Sequence, residues 1–67
     1  MHGKITLTVS DDDGDVAYLM LPEHPGGGTP GAVARQSRLS ELLQYSGPEV
    51  YLDFDKDGKL IGIEILA

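Results

Sequence analysis

The chain opens on a strict alternation. Ile5, Leu7 and Val9 are separated by Thr6 and Thr8 and flanked by Lys4 and Ser10, the period-2 pattern of a strand with one buried face. Asp11-Asp12-Asp13-Gly14-Asp15 follows, where Asp side chains bond their own backbone and Gly accepts positive φ, so a turn is expected. Val16 to Leu21 is then a continuous apolar run ended by Pro22. It is too short for a typical helix and rich in strand formers, which predicts a second strand forming a hairpin with the first.

His24-Pro25-Gly26-Gly27-Gly28-Thr29-Pro30-Gly31 reads as a loop. It lacks the Gly-Lys-Ser/Thr of a phosphate-cradling loop, so the flexible reading outweighs a phosphate site. Between Ala32 and Ser46 the signals conflict. Thr29 as N-cap, Pro30 in the first turn, the Leu39/Leu42/Leu43 spacing and the Gly47-Pro48 stop would suit one long helix. Gly31 inside the first turn and the alternation from Val33 to Leu39 argue against it. The reading adopted is a third strand near residues 32–38 and a short helix near residues 39–46.

In the last third, Val50, Leu52 and Phe54 alternate with Tyr51, Asp53 and Asp55; Asp57-Gly58 then marks a turn before Ile61, Ile63 and Ile65. Opposed residues share a face. An even register pairs Phe54 with Ile61, Leu52 with Ile63 and Val50 with Ile65, whereas an odd one puts Leu52 opposite Gly62 and Val50 opposite Glu64. Burial selects the even register, leaving Tyr51, Asp53, Asp55, Gly62 and Glu64 on the other side. The fold class expected is α+β: a small, mainly antiparallel sheet of hairpins with one short helix, in a single domain over residues 1–67.

Asp15-Val16-Ala17-Tyr18-Leu19 and the terminal Val50-Tyr51-Leu52-Asp53-Phe54-Asp55-Lys56-Asp57-Gly58-Lys59-Leu60-Ile61-Gly62-Ile63-Glu64-Ile65-Leu66 together resemble the DUF2283 family of small, mainly prokaryotic proteins. The resemblance covers the chain apart from the Gly/Pro loop and residues 40–48. It implies a compact β-rich fold and favours a strand at residues 32–38. It brings no catalytic positions, and its one functional hint is antitoxin-like partnership with a small toxin.

Size and composition sharpen this picture. A chain of 67 residues encloses one core at most, and apolar burial in so small a domain barely offsets chain entropy. With no cysteine, disulfides, zinc-thiolate sites and thiolate nucleophiles are excluded. Self-association is the expected support, and a homodimer the expected form. Eleven acidic residues against five basic ones give a net charge of −6, which repels phosphate backbones and anionic membranes. Lys4, Arg35, Arg38, Lys56 and Lys59 form no run and the four aromatic residues no stacking platform, so nucleic acid is not an expected partner. The start of the chain lacks a long apolar stretch, making the cytoplasm the default location.

One local pattern is sharp. Asp53-x-Asp55-x-Asp57-Gly58 with Glu64 in the twelfth position satisfies the EF-hand calcium loop throughout. An EF-hand needs flanking helices, however, and here the flanks read as paired strands that keep these oxygens from converging. A hairpin bearing solvated carboxylates is the preferred reading, with a calcium-binding module through the Asp53–Glu64 segment as an alternative. Asp11, Asp12, Asp13 and Asp15 read as a polar turn. His2 and His24 have no neighbours at metal-ligand spacing and read as loop histidines. Ser37 and Ser40 lack a nucleophile elbow. Asp53 and Asp55 as an acid–base pair lack a pocket-forming segment. Tyr18 and Tyr51 suit a core edge or an interface equally. No catalytic, cofactor or metal residue is therefore assigned. The expectation is a non-enzymatic interaction or structural module, with an antitoxin-like partner of a small basic toxin as the other alternative.

Overall fold

The computed structural model describes residues 4–10, 15–25 and 31–66. The Asp11–Gly14 part of the first turn, His2 and the Gly26–Pro30 part of the loop lie outside them. The described residues form five strands, β1 (Thr6–Val9), β2 (Val16–Met20), β3 (Arg35–Arg38), β4 (Glu49–Phe54) and β5 (Leu60–Leu66), in one antiparallel sheet of order β1-β2-β5-β4-β3. The two hairpins expected from the alternation are both present, and the third strand lies within the stretch expected for it. The last strand occupies the centre, between β2 and β4, which suits a sequence that is apolar apart from Gly62 and Glu64.

The helix expected near residues 39–46 is absent, and with it the α+β class: the only helical element among the described residues is a single 3-10 turn at Leu39–Glu41. Arg38 stands at its N-cap, and its side chain makes no capping hydrogen bond. Leu42 N–H and Leu43 N–H both return to the Leu39 carbonyl, at 2.9 and 3.1 Å, and the helix stops there. Eight residues are too few for a helix to persist unless its apolar stripe is packed. Leu42 and Leu43 instead stay 61% and 52% exposed.

Register follows the apolar pattern through most of the terminal hairpin. Val50 faces Ile65, Leu52 faces Ile63, Tyr51 faces Glu64 and Asp53 faces Gly62. The expected Phe54–Ile61 pair is not formed. Register shifts after Asp53, so that Phe54 faces Leu60 and Ile61 is the additional residue of a bulge. The turn explains the shift. Asp55 Oδ1 accepts the N–H groups of Asp57 and Lys59, both at 2.9 Å, while Gly58 takes φ +85°, a conformation in which side-chain-bearing residues are strained. This closed loop of odd length would invert every side chain beyond it. The bulge restores the apolar alignment and makes Ile61 the residue with no exposed surface.

Pairing aligns the rows across the sheet. Leu7, Leu19, Ile63, Leu52 and Ser37 form one row on one face, with Val9, Ala17, Ile65 and Val50 beside it. On the opposite face run Tyr18, Glu64, Tyr51 and Arg38, then Met20, Gly62, Asp53 and Gln36. The apolar rows have no second layer of sheet or helix among the described residues, and Ile61 is the sole apolar residue there that is fully buried.

Candidate functional site

The polar face holds the one buried acidic side chain among the described residues. Asp53, 4% exposed, lies on β4 opposite Gly62 of β5. Tyr18 projects from β2, and its hydroxyl donates to Asp53 Oδ2 at 2.7 Å. Reaching from β2 to β4 requires passing over the intervening strand. That passage is open because position 62 has no side chain: a methyl there would overlap the Tyr18 hydroxyl and ring. From the other side Gln36 Nε2 donates to Asp53 Oδ1 at 2.8 Å. Three strands are thereby tied through one carboxylate, above a fourth that supplies the space.

The Tyr18 phenol is pushed well above its usual range. Burial is the main cause, followed by the hydrogen bond to Asp53 and by the negative charges of Asp53 and Glu64. Tyr18 is therefore a proton donor held on its acceptor, and a poor nucleophile or base near neutrality. The His24 ring meets it edge to face, with centroids 5.8 Å apart. Farther along this face, Arg38 lies over the Tyr51 ring at 5.7 Å and pairs with Glu49 at 2.9 Å.

These placements decide how the sequence candidates relate. Asp53 points into the Tyr18–Gln36 network with both oxygens bonded, Asp55 closes its own turn, and Glu64 lies on β5 beside Tyr18 and Tyr51. Among the described residues no group of three or more His, Asp or Glu side chains is placed to hold a metal ion. Asp53 and Asp55 do not act as one acid–base pair, since each is engaged separately. Ser37 lies on the apolar face opposite Leu52 and Ser40 in the exposed 3-10 turn. His24 lies in the loop after β2, and its ring packs on Tyr18. Gln36 and the role of Gly62 were not singled out from sequence. A glycine inside an otherwise apolar strand was the available signal, because it marks a close approach.

One concavity, of about 470 Å³, is lined by Ser40, Leu43, Gln44, Tyr45 and Ser46. It is formed within one connection. No helix of the described residues is long and apolar enough to cross a membrane.

Comparison with protein families matches residues 11–67 to the model described as a protein of unknown function, DUF2283. The chain belongs to the DUF2283 family. No curated protein and no solved structure matches it. The DUF2283 match includes the Gly/Pro loop and residues 40–48, beyond the stretches that carried the resemblance in sequence. It spans β2 to β5 and the whole Tyr18–Asp53–Gln36 network, while β1 precedes it. In this DUF2283 chain the buried polar cluster is thus a feature of the family-matched sheet, and it reads as a structural tie between strands.

Proposed function

We propose that this chain is a non-enzymatic interaction module whose working form is a homodimer, joined through the exposed aliphatic residues of its sheet. The observation that carries this reading is the exposure of Ile5, Leu7 and Val9, at 61%, 60% and 50%. All three lie on the same face as Leu19, Ile63 and Leu52. A sheet that is apolar on one side is stable when that side is packed against another layer. A compact 7.2 kDa monomer would expose roughly 4,100 Å² by surface scaling. The single chain exposes 4743 Å². Charge distribution favours the same association: Glu49, Asp53 and Glu64 are on the opposite face, so a net charge of −6 per chain does not concentrate in the interface.

Light scattering on purified protein tests the reading, with about twice the chain mass expected.

The acidity supports a second interaction reading, in which the assembled module presents its carboxylates to a small basic protein in the manner of an antitoxin. Co-purification from the native cell followed by mass spectrometry tests it, and a basic partner in stoichiometric amount is the expected finding.

A further inference from the structure

The two edges of the sheet are treated differently by the sequence. At β3, Arg35 lies over Phe54 at 4.3 Å and Arg38 bonds Glu49 at 2.9 Å, so charged side chains flank that edge, a device that discourages strand addition. At the other edge β1 reads Thr6-Leu7-Thr8-Val9, with no charge, proline or bulge. All four residues are exposed, and among the described residues no strand pairs with its outer side.

Hydrogen bonding identifies which backbone groups that edge offers. Ser10 N–H donates to the Val16 carbonyl at 2.9 Å. Bonded pairs alternate along an antiparallel ladder, so Thr8–Tyr18 and Thr6–Met20 are also bonded pairs, while Leu7–Leu19 and Val9–Ala17 are not. The other side of β2 agrees, because Leu21 N–H donates to the Ile61 carbonyl at 2.9 Å, turning Leu19 and Ala17 towards β5. The N–H and C=O groups of Leu7 and Val9, and by the same alternation of Ile5, therefore face outward. They belong to the three aliphatic residues of this stretch, all of whose side chains are exposed.

The stretch Ile5-Thr6-Leu7-Thr8-Val9 has the same side-chain classes read in either direction about Leu7. An antiparallel copy centred on Leu7 sets Leu7 opposite Leu7, Ile5 opposite Val9 and Thr6 opposite Thr8. All three outward-facing residues then meet outward-facing residues. Centring on Thr6 or Thr8 leaves one of the three without its counterpart, and any register offset by one residue opposes aliphatic to Thr across the seam. From this self-complementarity we infer that the dimer is joined edge to edge through β1 of each copy, in the register centred on Leu7. This rests on the homodimer reading and specifies its geometry. The twofold axis through the seam stands normal to the sheet, so both apolar faces lie on the same side of one continuous ten-stranded sheet. The arginine-flanked β3 edges are left outermost, which ends the assembly at two copies.

Because the chain has no cysteine, introduced thiols report the seam directly. Thr6 and Thr8 of opposite copies form a non-hydrogen-bonded pair with Cα atoms about 4.5 Å apart, within disulfide reach. Thr8 and its own counterpart are separated by about 8 Å, beyond that reach. Full-length Thr6→Cys and Thr8→Cys proteins, mixed under reducing conditions and then oxidised, are expected to give about tenfold more cross-linked dimer than either variant alone. Both substitutions lie on the polar face and leave the apolar rows intact, and light scattering before oxidation establishes the association state of each variant. Dimeric mass without preferential cross-linking in the mixture would overturn the seam while leaving the dimer in place. Monomeric mass in the unsubstituted protein would overturn both.

Discussion

The Tyr18 hydroxyl reaches across β5 to donate to Asp53 on β4, and the space it crosses is the missing side chain of Gly62. Tyrosine, glycine and aspartate thus form one unit although they are remote in sequence. Gly62→Ala is expected to destabilise the fold by about 1–3 kcal/mol, because the added methyl displaces the tyrosine. In a Tyr18→Ala background most of that cost should vanish, since the obstructed group is gone. Denaturant unfolding of the two singles and the double checks this coupling, and simple additivity would contradict it.

Tyr18→Phe removes the donor but keeps the ring, leaving one oxygen of a buried carboxylate without its partner. A loss of about 1–3 kcal/mol is expected, and its pH dependence identifies the source. The folded phenol titrates well above the usual range, whereas the unfolded one ionises near pH 10. Above about pH 10 the unfolded state holds fewer protons than the native state, so this group's contribution, complete at lower pH, declines as pH rises. The stability difference between wild type and Tyr18→Phe should therefore narrow from pH 8 to pH 11. A constant difference would show that the hydroxyl proton is not what stabilises.

The terminal turn offers a test of the calcium-like pattern. Asp55 acts through one oxygen, Oδ1, as acceptor for two backbone N–H groups, and an amide oxygen can take its place. Asp55→Asn is expected to lie within about 0.5 kcal/mol of wild type, while Asp55→Ala costs about 1–2 kcal/mol. Calorimetric titration of metal-free protein with CaCl₂ should show no stoichiometric micromolar site. A tight site lost in Glu64→Gln would contradict the placement of these carboxylates.

What was legible in the sequence was whatever repeats with the period of a strand. Val50, Leu52, Ile63 and Ile65 reveal their pairing because a shift by one residue would exchange every buried side chain for an exposed one. The Phe54 end was not legible. Its register depends on the Asp55 carboxylate closing a loop of odd length, and periodicity carries no information about a bulge that corrects for it. The helix expected at residues 39–46 failed for a related reason: Leu39, Leu42 and Leu43 have helical spacing, but spacing supplies no surface to pack them on. At the candidate site, Asp53 was visible on the polar side of its strand and Tyr18 as a residue suited to a core edge or an interface. Their contact was hidden because it joins strands that are not neighbours and depends on Gly62 between them.

Burial separates the apolar residues sharply. Ile61 has no exposed surface, so Ile61→Ala is expected to cost about 2–5 kcal/mol through lost contacts and a residual cavity. Leu42, 61% exposed, should tolerate the same change within about 0.5 kcal/mol. Chemical denaturation of the two variants checks this, and equal losses would show that the 3-10 connection is packed in the assembled protein.

The association state is the most direct test of the account. Light scattering over a range extending to hundreds of micromolar is expected to give about twice the 7.2 kDa chain mass. Leu7→Lys, which places a charge at the centre of the exposed aliphatic strand, should return a mass near that of one chain while circular dichroism retains the β signal. Wild-type protein that stays at the mass of one chain throughout that range would contradict the account.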